Sequence, residues 1–144
     1  MAVQRVKSDQ EYKQSHKDSD VYSDFTTAFL PHPFNGQLTR VTDVDSVRQS
    51  LRNLILTNKY ERLKNPDYGC NIRRHLFDQF SPLTISRIKE DIEHAIKRHE
   101  PRVRVEDVDI TATEDQNALN VSITFYVVTA KEMQELTLTL YRVR

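Results

Sequence analysis

Residues 82–110, "PLTISRIKEDIEHAIKRHEPRVRVEDVDI", carry the change of periodicity that decides the fold. Over residues 82–99, isoleucine and alanine recur every three or four positions, which predicts an amphipathic helix. Ser81 fits the N-cap position of this helix, and Pro82 fits its first turn. Pro101 biases the residue before it away from helical dihedrals, so the helix is expected to end there. Beyond Pro101 the apolar residues alternate with polar ones, which indicates a strand.

Three strands are predicted after this proline. The first, "RVRVEDVDI" at 102–110, changes the phase of its alternation midway, which predicts a β-bulge near Glu106–Asp107. The second, "LNVSITFYV" at 119–127, alternates without interruption, and "LTLTLYRV" at 136–143 repeats the pattern. The segment "EDQN" at 114–117 is the predicted hairpin turn between the first two strands.

The segments before residue 82 are mainly helical in pattern. A first helix is predicted over 43–56 and a short one over 72–80, joined by a loop at 57–71 that contains a proline and a glycine. Residues 21–30 are predicted to form a short strand or an irregular segment on the core. Helices followed by a strand meander indicate the α+β class, with the helices packed on one face of a small, mainly antiparallel C-terminal sheet. We expect one such domain over 21–144.

Composition excludes several functional classes. Lysine plus arginine equals aspartate plus glutamate, at 21 each, so there is no general attraction to nucleic acid or membrane. With two glycines, neither nucleotide-binding fingerprint can be written, and no cofactor is expected. One cysteine and five scattered histidines give neither a disulfide framework nor metal-ligand spacing. No apolar signal segment is found, so synthesis in a cytoplasm is expected. Residues 1–20 are polar and of balanced charge, which predicts a flexible N-terminal arm.

The two opposite charges around Pro101 admit three interpretations. Glu100 could be the general acid of a glycosidase-like site, with a second carboxylate from Asp67, Asp78 or Glu61. A general acid needs a raised pKa, however, and a neighbouring arginine acts in the opposite direction; the chain also has no tryptophan for a sugar groove. The other interpretations are an ion pair within the chain and a docking surface for another protein. No catalytic residue is therefore predicted.

The middle and end of the chain resemble a known family. An ordered set of motifs at 50–78 and 95–110 resembles the phage baseplate wedge and sheath-initiator family. Proteins of this family are called gene-25-like or "lysozyme-like", and a component of type VI secretion baseplates is related to them. Tyr60 departs from the pattern, where glycine is common, and so does Asp78, where glutamate is common. The residues that carry the likeness are Leu54, Leu56, Thr57, Glu61, Arg62, Pro66, Gly69, Leu76, Phe77, Glu100, Pro101 and Arg102.

The resemblance implies a structural protein of a contractile-tail baseplate and no enzyme. It implies that the Glu100-Pro101-Arg102 signature docks on a helical bundle of other wedge proteins, close to the tail tube. It also implies that the sheet templates the first sheath ring by strand addition. The expected location is the virion baseplate, assembled in the host cytoplasm. The alternative implied by the older label is a peptidoglycan-cleaving hydrolase.

The 57–71 loop offers a second candidate docking element. Glu61 and Arg62 are the charged pair within it, and we predict that they contact a partner. The alternative is a solvated loop that is anchored on the protein by Leu63 and Tyr68.

Overall fold

Three helices and five strands form the described part of the chain. The computed structural model describes residues 21–29, 31, 34, 36–113 and 118–142. The predicted arm at 1–20 and the predicted turn at 114–117 lie outside these residues. In chain order the elements are β1 Ser23–Phe25, β2 Arg40–Thr42, α1 Asp43–Leu56, α2 Ile72–His75, α3 Pro82–His99, β3 Val103–Thr113, β4 Ala118–Val127 and β5 Glu132–Tyr141.

The C-terminal sheet is antiparallel, with β4 between β3 and β5. Alternate residues of β4, from Leu119 to Val127, are buried under the helices, as the pattern predicted. The register of β3 shifts between Val105 and Asp107, which confirms the predicted bulge. β5 begins at Glu132, four residues before the predicted start, because the ladder to β4 continues through a polar stretch that hides the alternation. The α+β class is confirmed.

The core lies between this sheet and two helices. α3 packs on β3, and α1 packs on α3. The apolar faces of both helices are buried with the inner face of β4, where Phe125 is fully buried. Both helices begin and end where the sequence predicted. The Ser81 hydroxyl accepts a hydrogen bond from the Thr84 amide at 3.2 Å, which confirms the predicted N-cap of α3.

α2 is shorter than predicted, since it ends at His75 and not at residue 80. The chain beyond it forms tight turns, in which the Asp78 amide donates to the His75 carbonyl at 3.1 Å. The His75 ring lies between two carboxylates, with Nδ1 at 3.0 Å from Asp78 and Nε2 at 3.3 Å from Asp91 of α3. The turns beyond α2 are closed by hydrogen bonds to the residue three positions earlier, such as that from the Phe77 amide to the Arg74 carbonyl at 3.2 Å, so the α-helical pattern is not continued.

A small two-stranded sheet precedes α1. β1 confirms the short strand predicted within 21–30, but its antiparallel partner β2 was not predicted. Asp43 joins this sheet to α1, because its amide donates to the Tyr22 carbonyl at 2.8 Å and its Oδ1 accepts from the Val21 amide at 3.0 Å. The start of the described chain is therefore held against the first helix.

Candidate partner-docking site

The corner between α3 and β3, formed by Glu100, Pro101 and Arg102, is rigid. The Glu100 amide closes α3 by donating to the Ile96 carbonyl at 2.8 Å. Glu100 has left the helical region (φ −129°, ψ 74°), as expected for a residue before proline. Its carbonyl then accepts from the Val103 amide at 3.2 Å, at the first residue of β3. The sequence prediction that the proline ends the helix here is confirmed.

Glu100 turns inward at this corner. Only 4% of the residue is exposed, so its carboxylate does not project from the corner toward a partner. Its Oε2 accepts from the Ser50 hydroxyl of α1 at 2.6 Å and from Nη2 of Arg102 at 2.7 Å, while Oε1 accepts from Nε of Arg102. The charge can remain buried because both oxygens are bound by donors and one of those donors is a cation.

Arg102 lies between the interior and the surface, with 29% of its side chain exposed. The hydrogen bond to Glu100 raises the pKa of its guanidinium above the usual value. The guanidinium carbon lies 4.9 Å from the ring centroid of Tyr22, whose hydroxyl is 2.8 Å from Oγ1 of Thr129. Glu100 thus holds the edge of the guanidinium and Tyr22 holds its face. Nη1 makes no hydrogen bond within the described residues.

The sequence did not indicate that Ser50 and Tyr22 belong to this site. Ser50 lies 50 positions from Glu100, and Tyr22 lies still farther from Arg102 in the chain. A serine in the middle of a helix and a tyrosine before it carry no local signal of such a contact. Ser50 reaches the corner because α1 packs against α3. Tyr22 reaches it because the segment before β1 is bound to the start of α1.

The structure places the other predicted pair, Glu61 and Arg62, on the exposed surface of the 57–71 loop. The carboxylate of Glu61 accepts from the Asn58 amide at 2.8 Å, and the guanidinium carbon of Arg62 lies 3.8 Å from the ring centroid of Tyr68. Both side chains therefore have partners inside the loop.

The loop is attached to the C-terminal end of α3, the part of the helix that leads into the corner. Asp67 accepts from Arg98 at 2.9 Å through its carboxylate and lies 3.0 Å from Nε2 of His99 through its carbonyl. The Tyr68 ring meets the His99 ring edge-on at 5.3 Å. Of the two residues named in the alternative of a solvated loop, Tyr68 is an anchor but Leu63 is not, because 98% of it is exposed.

The carboxylates considered for a hydrolase are each bound elsewhere. Asp67 pairs with an arginine of α3, Asp78 with a histidine of α2, and Glu61 with a backbone amide. Glu100 is buried in its ion pair. The described residues contain no cluster of metal-ligating side chains, and among them no helix is long and apolar enough to span a bilayer. At the corner, Arg102 is held by Glu100 and Tyr22, and the Glu100 carboxylate is bound by its partners.

Comparison with known proteins identifies a family over most of the chain. The family model described as "Baseplate wedge protein gp25" matches residues 41–132, a range that contains the corner and the 57–71 loop. The baseplate wedge protein gp25 of Enterobacteria phage T4 is 31% identical over 108 residues. That alignment covers 75% of this chain and 81% of the phage protein.

Two solved structures share the fold. A candidate tail lysozyme from Geobacter sulfurreducens superposes with a TM-score of 0.63 at 24% identity, covering 69% of this chain and 91% of that one. A chain of the anti-feeding prophage baseplate superposes with a TM-score of 0.61 at 23% identity, covering 83% of this chain and 84% of that one. At these identities the likeness shows the fold alone.

Proposed function

This chain belongs to the baseplate wedge protein gp25 family, and from that membership we propose that it docks on other wedge proteins and templates the first sheath ring of a contractile tail. The resemblance found in the sequence is confirmed, and the chain is a structural baseplate component. The observation that carries the proposal is the family match over residues 41–132, which includes both candidate docking elements. The proposed location is the tail baseplate of the virion, with assembly in the host cytoplasm.

Arg102 is the proposed contact at the corner, and Glu100 is the residue that positions it. Because Glu100 and the Tyr22 ring already fix the guanidinium, little side-chain entropy remains to be lost on binding. A planar guanidinium with an edge that no described residue binds suits a carboxylate or the carbonyl groups at the end of a partner helix. Pro101 is exposed and holds the backbone of the corner. Glu61 and Arg62 are proposed to form a second contact from the adjacent loop.

The edge of β5 is the proposed template for the sheath. β3 and β5 are the two edges of the three-stranded sheet. The ladder from β4 to β5 runs unbroken from Val127↔Glu132 to Ala118↔Tyr141, whereas the β3 edge is interrupted by its bulge. A regular edge can accept the backbone of an added strand, and a bulge discourages such pairing. Strand addition at β5 is therefore favoured over addition at β3.

The absence of peptidoglycan hydrolysis is part of this proposal. Glu100 has both carboxylate oxygens engaged by Ser50 and Arg102, so it has no free proton-donating position toward a substrate. The likeness to a candidate tail lysozyme concerns the fold and does not favour a second function.

A conservative substitution tests the docking role. Arg102→Lys keeps a positive charge beside Glu100 but removes the planar fork, so the fold should be retained while docking is lost. The full chain is co-expressed with the remaining wedge proteins of its own particle, and the co-purified fraction is measured. We expect a decrease of about tenfold or more for Arg102→Lys. The control Arg87→Lys, at an exposed position of α3, should behave as wild type. Equal co-purification of both variants would refute the docking role of Arg102.

A further inference from the structure

Two large apolar side chains project from the 57–71 loop. Tyr60 is 78% exposed and Leu63 is 98% exposed, so neither belongs to the core. A single exposed apolar residue is ordinary on a protein surface. Two of them in four residues, on a loop that lies beside the corner, raise the question of what they contact.

The loop that carries them has a fixed backbone. The Tyr60 amide donates across the loop to the Pro66 carbonyl at 2.7 Å. A turn around Leu63 is closed by the Asn65 amide, which donates to the Arg62 carbonyl at 3.2 Å. The attachment of the loop to α3, described above, holds its far side. The two apolar side chains are therefore presented on a preorganised backbone, which reduces the ordering entropy lost on binding.

Tyr60 adopts a backbone conformation that favours glycine. Its φ is +69°, in the left-handed region where a side chain is strained. The side chain contributes little to the fold in return, because it is 78% exposed and its hydroxyl makes no hydrogen bond within the described residues. A strained residue whose side chain the fold does not bury indicates a role for that side chain outside the fold.

Basic side chains flank the two apolar ones. Lys59 and Lys64 make no ion pair within the part of the chain that the structure describes. The acids of the same loop are already engaged, Glu61 with the Asn58 amide and Asp67 with an arginine of α3. A partner surface that complements this loop is apolar at its centre and acidic at its rim.

We propose that Tyr60 and Leu63 insert into an apolar pocket with an acidic rim on another wedge protein of the same baseplate. This inference rests on the proposed function and deepens it. Glu61 and Arg62, which are proposed above as contacts, also shape the loop through Asn58 and Tyr68. The two neighbouring apolar residues supply the buried contact, as aromatic and aliphatic anchors do at the centre of protein interfaces.

The test uses the full chain co-expressed with the remaining wedge proteins of its own particle. Tyr60→Gly removes both the side chain and the backbone strain, so this variant should melt at or above the wild-type temperature. It should nevertheless co-purify with about tenfold less wedge protein. Leu63→Ser should melt as wild type and show a similar loss. The control Leu83→Ser changes a leucine that is 62% exposed on α3 and should leave co-purification unchanged.

Each outcome decides between explanations. If the wild-type chain co-purifies with its partners and both Tyr60→Gly and Leu63→Ser co-purify equally well, this inference is overturned and the proposed function still stands. Failure of the wild-type chain to join any wedge protein would overturn the proposed function itself. Flotation of wild type, but not of Leu63→Ser, with vesicles of phosphatidylcholine and phosphatidylglycerol would assign the loop to a lipid surface and overturn the protein pocket.

Discussion

Replacing Glu100 by alanine should destabilise the isolated protein strongly, although the residue lies at a surface corner. The substitution removes the acceptor of the Ser50 hydroxyl and of two Arg102 nitrogens. Loss of one partner from a buried ion pair costs about 3–5 kcal/mol. Because 29% of the Arg102 side chain is exposed and can regain water, the cost lies around or below the lower end of that range. We expect a decrease of about 2–4 kcal/mol in the free energy of unfolding, with the unpaired serine hydroxyl included.

Thermal and urea denaturation of the purified variant measure this decrease. For a chain of this length, about 2–4 kcal/mol corresponds to a Tm roughly 5–15 °C below wild type. The matched control is Glu90→Ala, an exposed acid of α3 that should change the free energy of unfolding by less than about 0.5 kcal/mol. A Glu100→Ala variant that melts within a degree of Glu90→Ala would refute the reasoning, because the pair would then contribute nothing to the fold.

The remaining predictions concern the 57–71 loop. Gly69→Ala should lower the free energy of unfolding by about 3 kcal/mol or more in urea titrations, because φ is +116° and a Cβ would lie 2.4 Å from the Thr57 carbonyl oxygen. Gly36→Ala, at φ +67° with open space around the added Cβ, should lower the free energy of unfolding by only about 1 kcal/mol. Equal decreases for the two variants would contradict the clash expected at Gly69. Burial raises the pKa of the Cys70 thiol to about 12, so iodoacetamide should modify it at pH 8.5 only after unfolding. The folded state binds the Cys70 thiol proton more tightly than the unfolded state, so this proton stabilises the fold fully below pH 9 and the stabilisation is lost as the pH rises toward 12. Cys70→Ala should therefore reduce the decrease in the free energy of unfolding over this pH range.

Local signals fixed the elements that the sequence predicted well. α3 begins at a serine cap followed by proline and ends before Pro101, and all these signals lie within a few residues of the helix. β4 is recognisable because one face is fully buried and the other is polar, so the period of two is undisturbed. β2 was missed because three residues cannot display a period and owe their strand conformation to β1.

Only part of the candidate site could be predicted from the sequence, because its geometry depends on long-range contacts. The end of the helix before Pro101 was predicted from the proline alone, and the structure confirms it. Which of the two charges turns inward depends on Ser50, which comes from another helix. In the 57–71 loop the sequence drew attention to charged residues, whereas the exposure of Leu63 follows from the turn that the folded loop adopts. The sequence shows which residues are charged, but the direction in which a side chain points depends on the folded backbone.

The contact between Tyr22 and Arg102 has a consequence for the order of events during synthesis. Tyr22 is among the first described residues, and its hydroxyl meets Thr129, 107 positions later. The Arg102 carbonyl likewise accepts from the Val128 amide at 3.1 Å. A contact of such high sequence separation forms late, because the intervening chain must be made and folded first. In a growing chain the Arg102 guanidinium therefore lacks its support from Tyr22, and the corner reaches its final geometry only when the region around residue 129 has been added.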